Sequence, residues 1–346
     1  DSIRSWFVCL LSRQRYYLAV CSLSYCDSCL AMTSGFLMLL LVWAPSHGFN
    51  PAAPHGPSER GNIPSFKVMD TFARAVEIDR AVKAGESDNT LPVLHCEVGQ
   101  PQTGAPSTVV RSACLHLQND KLGYTSAEGV LELRQKISKH YKAKYDVEVD
   151  PQRIVVTTGS SAGFLLSFVG GFKRGDVIAV GSSGYPCYRN VCQSTELTVD
   201  TIKLNDDYKI TASTLRERVN FRAANNLPPI NGLILSSPSN PTGAMLEAKE
   251  MKDLCETCTE NGIRFISDEI YHGIVYDKKV EATALKYTNN AIVINSFSKY
   301  YSMSGWRLGW VVVPEDLGDC FNSLQQVIRQ LWSMINANEA RKKSAI

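Results

Sequence analysis

From Val93 onward, short apolar runs alternate with longer amphipathic stretches, and this alternation constrains the fold more than any other feature of the chain. Residues 154–156, 177–180, 233–235, 263–266, 292–294 and 311–313 read as strands, bounded by Gly, Pro, Ser and Asp. Between them, residues 127–145, 161–172, 213–223 and 245–261 carry helical spacing. Strands that are apolar on both faces belong in a sheet covered by helices on both sides, so the pattern predicts an α/β domain with a mainly parallel sheet. Ligands of such sheets bind beyond the carboxyl ends of the strands. The polar residues that follow each apolar run are therefore the place to look for chemistry.

Composition narrows the class. At 44% hydrophobic and 20% charged, the chain is neither mostly disordered nor collagen-like, nor a polytopic membrane protein. Its 346 residues are about two domains' worth at roughly 150 residues each. A net charge of +2 gives no electrostatic ground for a nucleic-acid partner. The eleven cysteines include Cys26-x-x-Cys29 and Cys255-x-x-Cys258, but no His or second Cys pair stands at metal-site spacing beside either. We expect incidental thiols and no metal site.

The first sixty residues have a different character. The stretch before Leu30 lacks a clean period, and Arg13 and Arg15 interrupt it, so it predicts no membrane span. Met32 then opens a segment in which residues 36–44 are unbroken apolar, nine residues that match the core of a signal peptide. Pro45, Pro51, Pro54 and Pro57 with Gly48, Gly56 and Gly61 follow, a linker composition. We expect Met32 to be the true start, residues 1–31 to be translated upstream sequence, and the segment 1–60 as a whole to be leader and linker outside the enzyme. The stretch around Phe49 resembles the junction of two-part targeting leaders of complex plastids. That reading sends the protein to an organelle, plastid or mitochondrion; without the leader it stays in the cytoplasm.

Four strand ends carry candidate chemistry. After Val156 comes Thr157-Thr-Gly159-Ser160-Ser161-Ala162, a Gly-containing turn that opens a helix and offers backbone N–H groups to an anion. It lacks both the Gly-Lys-Ser/Thr ending of a phosphate loop and the GxGxxG of a dinucleotide turn. After Leu235 comes Ser236-Ser-Pro238-Ser-Asn240-Pro241-Thr-Gly243, where prolines either stiffen a loop that presents the Asn240 amide or merely shape a tight turn. After Ile266 comes Ser267-Asp268-Glu269-Ile270-Tyr271-His272, in which Asp268 either faces a pocket with a cationic partner or caps the next turn. His272, with no ligand partners at metal spacing, reads as a packing or surface residue. After Ile294 come Ser296, Ser298 and Lys299 among aromatics, with Arg307 eight residues beyond the lysine. A lysine so placed is set to lose solvation and become a nucleophilic amine, and the serines and arginine suit a phosphate.

Here the residues carry a family resemblance. The motifs GYTSAEGVLELRQKISKHY, TTGSSAGF, GYPCYRN, SPSNPTGA, SDEIYHGIVY and SFSKYYSMSGWRLGW, spread over residues 66–324, resemble the class I/II aminotransferases of the fold type I pyridoxal phosphate (PLP) enzymes. The resemblance implies a mixed, mainly parallel seven-stranded sheet and a PLP-dependent transfer of an amino group from an amino acid to a 2-oxo acid. It implies that Lys299 holds PLP as an internal aldimine and carries the proton. Asp268 would pair with the pyridinium nitrogen, and Asn240 and Tyr271 would bond the ring's phenolic oxygen. Tyr185 would stack on the ring, and Ser160, Ser161, Ala162, Ser296 and Arg307 would form the phosphate cup. Tyr124 would reach the partner subunit's phosphate, which implies a homodimer. Gly99, and Asn240 again, would touch substrate.

The resemblance divides the chain into an N-terminal arm over 61–105, a PLP-binding large domain over 106–325 and a divergent tail over 326–346. Only 39 residues follow Arg307, and among them Arg329 and Arg341 are the only arginines. We therefore expect the family's small C-terminal domain, with the arginine that grips the substrate carboxylate, to be largely missing. Two other readings share Lys299, Asp268 and Arg307: another fold type I enzyme, such as a carbon–sulfur lyase or a cyclopropane-forming synthase, and a truncated chain that binds PLP without turnover.

Overall fold

The computed structural model describes residues 56, 58–86, 91–121, 123–276 and 279–327. The expected leader and the expected tail, with Cys26 and Cys29, lie almost wholly outside these residues.

Seven strands form one sheet: β1 (Ile154–Thr157), β2 (Val177–Gly181), β3 (Thr198–Ile202), β4 (Ile230–Ser236), β5 (Arg264–Asp268), β6 (Ile292–Ser296) and β7 (Gly309–Val312). Their order across the sheet is β1-β7-β6-β5-β4-β2-β3, with β7 antiparallel to both neighbours and every other pairing parallel. This is the mixed, mainly parallel sheet expected. The helices are α1 (Lys67–Ala84), α2 (Ser107–Asn119), α3 (Leu131–Tyr145), α4 (Ser160–Gly171), α5 (Pro186–Ser194), α6 (Ala212–Ala224) and α7 (Ala248–Glu260). Pro186 occupies the first turn of α5, where a missing N–H costs nothing. Thr211 caps α6 by accepting from the Thr214 amide.

Alternate residues of the strands feed two cores. Phe265, Leu233 and Trp310 pack with Tyr141, Leu254 and Met251 on one face. Ile266, Ile234 and Val311 pack with Phe164, Phe168 and Phe321 on the other. Burial of such a side chain contributes roughly 1.5–3 kcal/mol, so both helical layers are held by the sheet rather than by their own propensity. By contrast α1 and α2 contain no buried residue. Cys255 and Cys258 lie in the first core as free thiols, and burial pushes both upward, Cys255 to about 12. Such thiols are inert.

Register sets the carboxyl edge. Thr157 and Ser296 both pair with Gly309, while Asp268 pairs with Ser236 on one side and Ile294 on the other. The residues singled out in the sequence thus stand along one edge of one sheet. Among the described residues, no helix is long and apolar enough to cross a membrane.

Candidate active site

Three arrangements meet at this edge. The first is a glycine turn at the N-terminus of α4, with Arg307 against it. Gly159 has φ of 76° and ψ of 173°, a backbone that turns the chain from β1 into α4, and Thr157 Oγ1 donates to its carbonyl at 2.8 Å. A Cβ on Gly159 would collide with the guanidinium of Arg307, so the arginine packs directly against the turn. A Cβ on Gly309 would lie 2.9 Å from the Gly159 carbonyl carbon and 3.0 Å from the Ser160 amide nitrogen. Two glycines therefore let β7 press the turn and Arg307 together. The first N–H groups of α4, on Ser160, Ser161 and Ala162, lack partners within the helix, and its first turn carries no acid. Ser296 Oγ donates to Ser298 Oγ at 2.7 Å and accepts from the Ser298 amide at 2.8 Å, which fixes the loop that leads to Lys299.

The second is the lysine. Lys299 Nζ donates to the Gly99 carbonyl at 2.7 Å and stands 5.8 Å from the centre of the Tyr271 ring. Burial, then the charge of Arg307, lowers its pKa, while Asp268 pulls it back up. The loss of solvation expected from its neighbours is thus present. Tyr271 Oη accepts from Asn240 Nδ2 at 3.3 Å, which brings those two residues together as the sequence reading requires.

The third is a buried acid. Asp268 is 3% exposed; its Oδ1 accepts from the Ile270 amide at 3.2 Å and its Oδ2 from the Tyr188 hydroxyl. Burial pushes its carboxyl up to about 6, against the pull of these donors and of Lys299. Among the described residues no cation forms an ion pair with it. Its bond to the Ile270 amide makes Asp268 the local cap that its sequence context allowed. Tyr185 stands edge-on to Tyr188, ring centres 5.6 Å apart, and burial raises its hydroxyl to about 12. A cavity of about 40 Å³ adjoins Tyr185, Tyr188 and Asn240. Tyr124, 87% exposed, makes no hydrogen bond or ring contact with these residues, so one chain alone does not bring it to the site.

Sequence reasoning gave no role to two residues here. Tyr188 lies one helical turn after Tyr185 in GYPCYRN, a spacing that sets it beside Tyr185 but does not reveal Asp268 as its partner. Glu269 is fully buried on the opposite face from Asp268: its Oε1 accepts from Ser267 Oγ at 3.1 Å, Thr283 Oγ1 at 3.0 Å and the Ala284 amide at 3.0 Å. Its Oε2 has no hydrogen-bond partner and faces His272 Nδ1 at 3.5 Å. His272 Nε2 donates to the Ser237 carbonyl at 3.0 Å, so Nδ1 of the neutral ring accepts from the Tyr145 hydroxyl at 2.7 Å. Burial pushes Glu269 up to about 8 and His272 down to about 4. Glu269 is then the neutral acid beside an ionised Asp268. His272, 5% exposed, has the packing role expected.

A half-buried lysine, a buried acid and a helix N-terminus with an arginine against it thus stand together at the carboxyl edge of the sheet, where α/β sheets bind their ligands. The sequence matches the family described as aminotransferase class I and II over residues 93–344. The chain belongs to that family. It is 38% identical over 287 residues to the valine–pyruvate aminotransferase of Mycobacterium tuberculosis, covering 81% of this chain and 70% of the relative. It is 33% identical over 268 residues to the (5-formylfuran-3-yl)methyl phosphate transaminase of Methanocaldococcus jannaschii, covering 77% of this chain and 65% of the relative. The crystal structure of an aminotransferase from Mycobacterium tuberculosis superposes with a TM-score of 0.70 at 38% identity, covering 78% of this chain and 67% of that one. The aspartate aminotransferase of Thermus thermophilus, at 21% identity and a TM-score of 0.70, shares the fold. The chain thus spans about two thirds of the length of the relatives it matches.

Proposed function

We propose that this chain is a PLP-dependent aminotransferase that moves an amino group from an amino acid to a 2-oxo acid, with Lys299 as nucleophile. The observation that carries the reading is the pairing of a desolvated Lys299 with a buried Asp268 that forms no ion pair among the described residues, beside the N-terminus of α4 and Arg307. These residues fit PLP. The α4 amides, Ser296 and Arg307 would hold its phosphate, Asp268 its ring nitrogen, Asn240 and Tyr271 its phenolic oxygen, and Tyr185 a ring face. When bound, PLP supplies the carbonyl with which amines condense and the electron sink for the carbanion.

The chain's own groups do the rest. Lys299 Nζ, shifted toward the neutral amine, attacks as a nucleophile and afterwards holds and returns the proton. Asp268 keeps negative charge where a cationic ring nitrogen needs it. The Asn240 amide and Tyr271 hydroxyl present neutral donors at a fixed separation. The Gly99 carbonyl orients Lys299 Nζ. We take Tyr124 to serve the partner's site in a homodimer, since its exposure leaves it free to do so, and the leader that opens at Met32 to direct the protein to an organelle.

The test is absorbance. Purified chain mixed with PLP is expected to give a visible band that bleaches on addition of valine and returns on addition of pyruvate, the pair named for the relative from Mycobacterium tuberculosis. Lys299→Ala is expected to abolish turnover, by at least about 10³-fold. Absence of a band, or a band that no amino acid bleaches, overturns the reading.

A further inference from the structure

The Tyr188 hydroxyl has no part in the proposed function, yet it donates to Asp268. Its ring is wholly buried, 3% exposed, and set edge-on between two others: Phe164, at 5.2 Å and 75°, and Tyr185, at 5.6 Å and 85°. Those contacts fix the hydroxyl on Asp268 Oδ2, while the Ile270 amide takes Oδ1. Burial, and next the charge of Asp268, hold the phenol far above its ordinary pKa, so it is a neutral donor at any working pH.

A carboxylate buried this deeply without an ion pair favours its neutral form unless donors hold the charge. Of the two donors, the Ile270 amide belongs to the backbone and is present whatever the side chain there. Tyr188 alone is a choice of residue. We propose that Tyr188 is a positioning residue that keeps Asp268 ionised and thereby sets how strongly the site holds a protonated ring nitrogen. The proposal rests on the reading of Asp268 as the partner of the PLP ring nitrogen.

Removing the hydroxyl while leaving the ring isolates this role, because Tyr188→Phe keeps both edge-on contacts. Two measurements follow. The Asp268 carboxyl is titrated by carbon-13 NMR in cofactor-free protein, its resonance assigned with Asp268→Asn. Tyr188→Phe is expected to raise its pKa by about one to two units, the effect of one hydrogen bond to a charged group. An unmoved pKa overturns the proposal whatever becomes of PLP.

Dissociation constants are then compared for PLP and for 1-deazapyridoxal 5′-phosphate, whose ring carries carbon in place of nitrogen. Tyr188→Phe is expected to weaken PLP about tenfold near neutral pH and the carbon analogue less than twofold. Equal losses on both ligands would make Tyr188 a packing residue only. Phe164→Leu, which alters packing without touching the hydrogen bond, provides the reference for that outcome. Failure of the parent chain to bind PLP defeats the functional reading and this role with it, whereas normal binding by the parent and by Tyr188→Phe defeats this role alone.

Discussion

Asp268 and Glu269 are consecutive, both buried and both raised by loss of solvent, yet they belong to two regions that treat charge oppositely. Asp268 points into the layer of Phe164 and Tyr188, on the side of Lys299 and Arg307, with a donor on each oxygen. Glu269 points into the layer of Tyr141 and Tyr145, where one oxygen takes three donors and the other only faces the unprotonated nitrogen of His272. The first region distributes donors so that a carboxylate survives at neutral pH. The second leaves one oxygen without a donor and so retains the proton there. Two like charges on adjacent residues would repel, and the fold avoids this by ionising only one. The site keeps its negative charge on the face where the lysine lies.

The largest test of this comparison is to delete each acid. Asp268→Ala is expected to cut turnover by about 10²–10⁴-fold, the range for loss of a principal electrostatic group, whereas Glu269→Gln should change it only a few-fold. Equal losses would show that the two regions are not distinct. Steady-state kinetics with saturating PLP decides between them.

The next effect is on stability against pH. Glu269 rises from 4.5 to about 8 on folding, so the folded state binds the extra proton between those values. Stability therefore falls as pH rises through that window, by up to about 1.4 kcal/mol per pH unit for this group, and levels off above it. Glu269→Gln should flatten the curve between pH 5 and pH 8, as read by urea denaturation at several pH values. A curve as steep as that of the parent chain would locate the buried proton elsewhere.

Asp268 gives a profile of opposite use. Its carboxylate form is lost as pH falls through about 6, so affinity for PLP should weaken below that value and hold steady above it. Glu269→Gln should leave that midpoint nearly unmoved. Fluorescence titration with PLP between pH 5 and pH 8 measures both.

The smallest expected effect lies at the glycine turn. Gly309→Ala places a methyl against Gly159 and the Ser160 amide, with the Asn295 carbonyl also at 2.9 Å, a backbone clash that should cost about 1–3 kcal/mol of stability. Affinity for inorganic phosphate should fall along with it. A substituted chain of unchanged stability would mean that β7 and the α4 turn are not in contact.

Much of this arrangement was legible in the sequence. Six of the seven strands announce themselves as short apolar runs, five unbroken and that of β5 interrupted only by Arg264, because both faces of a central sheet are covered. β3 does not: it is an edge strand reading Thr-Val-Asp-Thr-Ile, with Asp200 buried only because Arg218 and Arg222 pair with it. α5 also escaped, since its nine residues are shorter than the window over which a helical period is read. Lys299, Asn240 and Asp268 were readable as candidates because each comes soon after an apolar run, at the carboxyl end of a parallel strand, whereas Arg307 was readable only by its place eight residues beyond Lys299. Tyr188 and Glu269 were not, because their roles depend on partners 80 and 15 residues away in the chain, brought in by packing.

The central claim is that Lys299, among all the lysines, is the residue that reacts. Protein incubated with PLP, reduced with borohydride, digested and analysed by mass spectrometry tests it directly. The account predicts a stable pyridoxyl adduct on the peptide that contains Lys299, absent from Lys299→Ala. An adduct spread over surface lysines, or one that persists unchanged in Lys299→Ala, would contradict it.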